Sequence, residues 1–170
     1  PPEARFMKHA FLSLLAVLPA FPSLLACWGC RPRDGAATDA LFRLRNLGRL
    51  QAARDTPEGF EEGAKAFAAA LGQRTDLGDI LNLARCVTLA GRSEEARSIL
   101  ESARKALPAR SPAPLELVYL EGLAFKGLNS YAEAAARFRE VTERDPGLEA
   151  GWYQLGTTHF LREAHAEAVK

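Results

Sequence analysis

Glu121-Gly122-Leu123-Ala124-Phe125 returns thirty-four residues later as Leu155-Gly156-Thr157-Thr158-His159. The interval from Gly122 to Gly156 equals that from Ala134 to Ala168, so the two copies keep one frame across a whole helix-turn-helix. A fixed period of this length signals stacked units. Each copy sets a small residue where two helices must approach closely and a large apolar residue a turn away, as antiparallel helix pairs require. The spacing predicts an all-α solenoid of helical hairpins, whose function lies in a surface and not in an enclosed pocket.

The second copy carries Trp152, Leu155, Gly156, His159 and Ala168; the first carries Val118, Gly122, Phe125, Ala134, Phe138 and Pro146. This pattern resembles the tetratricopeptide repeat, with His159 at the usual Tyr and Glu121 at the usual Leu. An earlier copy falls in register at Ile80, Leu83, Ala84, Val87, Ala96, Leu100 and Pro108, and four extra residues in the Pro-rich stretch 109–114 precede the next one. Leu47, Leu50, Phe60, Ala64 and Phe67 suggest a degenerate first pair, interrupted at Thr56-Pro57. Three to four tetratricopeptide-like repeats are therefore expected over residues 38–170: a degenerate one at 44–76, two at 77–110 and 115–148, and an incomplete one at 149–170.

Helix punctuation follows this frame. Asp76 is placed to cap a helix running to Ala90, Gly91 to allow the turn, Ser93 to cap the next helix and Pro108 to follow its end. Asn129-Ser130 and Asp145-Pro146 take the same parts in the next copy. The last second-helix is expected to start near Ala164, before the closing aromatic and turn that the previous copy supplies as Phe138 and Pro146. An incomplete unit leaves an apolar face uncovered, so further repeats or another domain are expected beyond Lys170.

A different signal occupies the N-terminus. Met7-Lys8-His9 gives a short basic start, with Met7 as the expected initiator, and residues 10–26 form a seventeen-residue apolar run broken only by Ser and Pro. Residues 1–26 read as a secretory leader, because Pro19 and Pro22 interrupt a helix and the run is short for a bilayer core of roughly 30 Å. Its end, Leu24-Leu25-Ala26-Cys27, resembles the lipobox of bacterial lipoproteins. That resemblance implies lipidation at Cys27 and location on a bacterial membrane, at its periplasmic or cell-surface face. Residues 27–37, rich in Gly, Arg and Pro, suit a flexible tether.

The chain has 22 basic and 21 acidic residues, and removing Arg5, Lys8 and Glu3 with the leader leaves 20 of each. No nucleic-acid affinity follows from a neutral domain. Cys27-Trp28-Gly29-Cys30 lacks the strand-helix setting of a redox motif and a second ligand pair for zinc. Cys86 lies between Leu83 and Val87 as a small core hydrophobe. Ser102-Ala103-Arg104-Lys105 matches a serine acyl-enzyme spacing without its companion motifs. His159 and His165 stand at aromatic positions of the repeat, where packing explains them better than metal binding. No cofactor, metal or catalytic residue is expected.

The surface made by the first helices remains. The resemblance implies that it grips an extended peptide or a partner helix, here through Leu81, Arg85, Tyr119, Leu123, Lys126, Tyr153, Thr157 and Phe160. The Lys and Asn arrangement by which some family members clamp a peptide carboxylate is absent. The expected function is a non-catalytic protein-interaction scaffold of the bacterial envelope, of the kind that serves envelope assembly, pilus biogenesis or the organisation of hydrolases. The alternative is a docking arm of a larger enzyme or ligand-binding protein whose active part follows Lys170.

Overall fold

The computed structural model describes residues 35–109 and 111–168, with side chains in the last helix through residue 164. The expected leader, Cys27 and most of the tether lie outside the described residues. Contacts group Asp39–Lys170 into one compact unit, apart from Pro1–Thr38. The described residues form seven helices and no strand: α1 (Gly35–Ala52), α2 (Pro57–Gln73), α3 (Leu77–Leu89), α4 (Ser93–Ala106), α5 (Leu115–Gly127), α6 (Tyr131–Arg144) and α7 (Glu149–Ala168). Each helix from α2 onward packs on the next, and α3 also packs on α5, as in a helical-hairpin solenoid. Leu115 and Glu149, which open α5 and α7, are thirty-four residues apart; Leu77 and Leu115 are thirty-eight apart, as are Ser93 and Tyr131. The four extra residues thus fall in the α4–α5 connection, where a surface turn absorbs them.

One backbone device closes the hairpins. The described residues with positive φ are Asp55 (52°), Gly91 (81°) and Asn129 (59°), each two places before the helix that folds back. Gly, Asn and Asp are the residue types that enter the left-handed region at least cost. At the second hairpin the amide of Arg92 reaches the carbonyl of Val87 at 3.0 Å, and at the third that of Ser130 reaches Phe125 at 3.0 Å. These bonds span five residues and close the C-terminus of the first helix in each pair. Ser93, expected as a cap, is instead the first residue of α4, is buried and makes no capping bond. Its hydroxyl sits 2.1 Å from where a Cβ on Gly127 would lie, so it is crowded against the end of α5. Thr56 and Asp76 do cap, accepting from Gly59 at 3.1 Å and from Gly78 at 2.9 Å.

The last copy departs from expectation. No turn forms near Ala164, and α7 runs unbroken from Glu149 to Ala168. Thirty-four residues after Asn129 the turn position is Glu163, which favours helix and resists the left-handed region. Gly156 therefore meets nothing within 4 Å, whereas a Cβ on Gly122 would lie 2.6 Å from the Phe138 ring. Gly35-Ala36-Ala37, expected to belong to the tether, are part of α1, and alanine is the strongest helix former.

The core follows the frame: Phe67, Leu81, Ala84, Val87, Leu100, Leu117, Leu120 and Ala124 form a continuous buried cluster across the middle hairpins. Two buried carboxylates lie across helix contacts. Asp79 receives Arg45 from α1 at 2.6 and 2.9 Å. Glu121 receives Arg104 of α4 through two bonds of 2.6 Å and Arg137 of α6 at 3.0 Å. A buried carboxylate is tolerated only when so matched.

Gly122→Ala is expected to cost about 1–3 kcal/mol by overpacking Phe138, while Gly156→Ala is expected to be neutral or stabilising by up to about 1 kcal/mol through helix propensity. Thermal melts that reverse this order would contradict the placement of both glycines.

Candidate partner-binding groove

The first helices α3 and α5, with the start of α7, frame an open cavity of about 380 Å³ lined by Arg85, Leu115, Glu116, Tyr119, Asp145, Leu148 and Ala150. Arg85 projects from α3 and its guanidinium donates to the Glu116 carboxylate on α5. Tyr119 lies between the cavity and the core, its ring edge-on to Phe138 with centroids 5.8 Å apart. Asp145 is occupied locally, accepting the Gly147 amide at 3.1 Å and so holding the α6–α7 turn that places Leu148 and Ala150. A second cavity of about 260 Å³ lies between α1 and α3, with Arg49, Ala52, Asn82 and Leu89 on its walls. Arg85 lines both cavities, and the one at Tyr119 forms an open trough on the first helices.

The expected binding residues divide by position. Arg85 and Tyr119 meet at the trough. Leu81 does not reach it: the side chain is buried in the core, one helical face away from solvent. Leu123 is partly buried against the same core. Thr157 turns back on its own helix, donating to the Tyr153 carbonyl at 2.8 Å. Tyr153 and Phe160 are largely exposed on α7. Leu115, Glu116 and Leu148 complete the trough without having been singled out in the sequence; Glu116 and Leu148 sit at helix boundaries whose facing depends on the turn before them.

Lys126 ties α5 to α7 by donating from Nζ to Gln154 Oε1. Burial pushes its ammonium below the ordinary lysine value. Among the described residues no carboxylate pairs with it.

Ser102, Lys105 and Cys86 are engaged locally or buried. The Ser102 hydroxyl donates to the Ser98 carbonyl at 2.9 Å, and Lys105 is 2.7 Å from Glu101. Cys86 is a buried free thiol whose pKa is raised by desolvation, the opposite of an activated thiolate. Among the described residues no group of three or more His, Cys, Asp or Glu is arranged to hold a metal, and no helix is long and apolar enough to cross a membrane. Neither a protein-family model nor a curated protein matches the chain.

The Lys126 shift sets a pH dependence. A lysine whose folded pKa is depressed binds its proton more tightly in the unfolded chain, so it opposes folding at neutral pH. That penalty fades as pH rises from the folded value to the unfolded value near 10.5. Lys126→Met is expected to raise the melting temperature at pH 7 and to flatten its alkaline rise. Melting curves from neutral pH to pH 10.5 check this, and a lower melting temperature for the variant at pH 7 would contradict it.

Proposed function

We propose that this chain is a non-catalytic protein-interaction scaffold, lipid-anchored through Cys27 on a bacterial envelope face, that holds a partner peptide or helix in the trough of its first helices. The trough at Arg85, Leu115, Glu116 and Tyr119 carries this reading. It is shallow and open, so it suits side chains of a larger partner better than an enclosed small molecule. Leu115, Leu148 and Ala150 offer apolar contact, the Tyr119 ring offers a rigid aromatic edge, and the exposed Arg85–Glu116 pair offers both a donor and an acceptor. That combination fits a short segment with one apolar anchor flanked by polar groups. The tetratricopeptide-like pattern supports the same use, because that family commonly binds partners on its first helices. The leader and the lipobox-like Leu24-Leu25-Ala26-Cys27 support export and anchoring.

A photoreactive amino acid at Leu115 of the full chain in bacterial cells is expected to give a discrete partner adduct, and one at exposed Arg139 on α6 is not. Arg85→Glu is expected to reduce the adduct about tenfold while changing stability by less than about 1 kcal/mol, since an exposed ion pair contributes little. Labelled fatty acid is expected to enter the chain and to be lost in Cys27→Ala. Equal adducts at both positions would move the interface off the trough, and label retained in Cys27→Ala would remove the anchor.

A further inference from the structure

The cavity of about 260 Å³ between α1 and α3 is built differently from the trough at Tyr119. On its α1 side stand Ala52 and Ala53, the latter one turn after Arg49 and still bonded to the Arg49 carbonyl at 2.9 Å. On α3 the residue one turn after Arg85 is the larger Leu89. The two alanines leave room that longer side chains would take. The floor is apolar, with Phe60 and Phe67 reaching it from α2 and the buried Cys86 from α3. Close helix contacts fix that floor: a Cβ on Gly48 would lie 2.8 Å from the Phe67 ring, and one on Gly63 would lie 3.1 Å from Cys86 Sγ. Moving α1 or α3 onto α2 to close the space would drive these contacts into overlap.

The polar wall is cationic. Arg49 comes from α1, Asn82 and Arg85 come from α3, and among the described residues no carboxylate lines the cavity. Neither the Arg49 nor the Asn82 side chain has a partner among those residues. Arg85 donates to Glu116, which lies outside this cavity. Two guanidinium charges less that one carboxylate leave a single positive charge beside an apolar floor. One ligand carboxylate neutralises it, accepting charge-assisted hydrogen bonds from Arg49 and Arg85 and a further N–H from the Asn82 amide. An apolar body must accompany the carboxylate, because only that part gains by covering Phe60, Phe67 and the half-exposed Leu89. A phosphate dianion would exceed the local charge and leave the floor bare. The space is slightly smaller than the roughly 300–1,000 Å³ of drug-sized sites, so the molecule it takes is small.

We infer that the α1–α3 cavity binds a small free acid, with one carboxylate held between Arg49 and Arg85 and an apolar body seated over Phe60 and Phe67. The inference stands apart from the partner trough, whose Leu115, Tyr119 and Leu148 do not line this cavity.

Phenylbutyrate tests it, titrated into the isotope-labelled full chain in a zwitterionic detergent and followed by nuclear magnetic resonance. The Asn82 side-chain amide and the Leu89 methyls are expected to shift saturably, with half-saturation at or below about 1 mM. Phenylbutanamide has the same body without the charge, and is expected to bind at least about tenfold more weakly. Arg49→Gln removes a charge and Ala53→Leu fills the space. Each is expected to weaken phenylbutyrate about tenfold, leaving circular dichroism and the photo-adduct at Leu115 unchanged. Shifts that fail to saturate by about 10 mM, or an amide that binds as tightly as the acid, would overturn the inference. So would a phenylalanine-terminated tetrapeptide that binds more tightly than phenylbutyrate, which would make the occupant a partner's C-terminus. Nuclear Overhauser contacts to Leu89 from residues before Gly35 would overturn it as well, with the chain's own N-terminal segment as the occupant.

Discussion

Reversal of the chain at a left-handed residue is the constraint that shapes the three hairpins α1–α2, α3–α4 and α5–α6. The tight turns inside these pairs each hold one residue at positive φ, a conformation that for most side chains costs about 1–2 kcal/mol. Asp55, Gly91 and Asn129 meet that need at matching places, and three hairpins follow. Glu163 holds the fourth place, within Arg162-Glu163-Ala164, and the chain continues as helix. There α7 runs straight through the place at which the three earlier pairs turn.

What the turns bring together, buried polar contacts then hold in register. Stability in a hairpin array is approximately a sum of units and of the contacts between neighbours. Here the neighbour contacts include charge: Arg45 of the first hairpin binds Asp79 of the second, and Arg104 of the second binds Glu121 of the third. Breaking such a pair by removing one partner is costly because the remaining group stays buried and unmatched. Gly127 against Ser93 adds steric matching between the same two hairpins. The trough therefore lies on first helices whose spacing is fixed from behind, which lets an open surface present Arg85, Glu116 and Tyr119 in a defined arrangement.

Features that depend on local chemistry or on exact spacing were legible in the sequence. The thirty-four-residue period, the inserted Pro-rich stretch, the Asp76 cap and the Gly91 turn all reappear as helix boundaries. Features that depend on what arrives from elsewhere were not. Gly122 and Gly156 look alike in sequence, yet a Cβ on Gly122 would meet the Phe138 ring while nothing lies within 4 Å of Gly156, and α7 continues past Glu163. Leu81 and Arg85 are one turn apart on a first helix, but a small rotation decides which faces the core, and it is Leu81 that is buried. Glu121 stood out as a departure from the repeat pattern. Its explanation needed two arginines, from α4 and α6, which sequence spacing alone could not join to it.

The path of α7 past Glu163 tests the account most directly. Spin labels at positions 149 and 168, in a chain with Cys27, Cys30 and Cys86 replaced, report their separation by pulsed electron spin resonance. A continuous helix over these 20 residues predicts a mean backbone separation of about 28 Å at 1.5 Å per residue. A narrow distribution centred there agrees with Glu163 as the position that keeps the chain straight. A dominant distance below about 20 Å would mean that the chain folds back as it does after Asn129, and would contradict both the turn rule and the open face of α7.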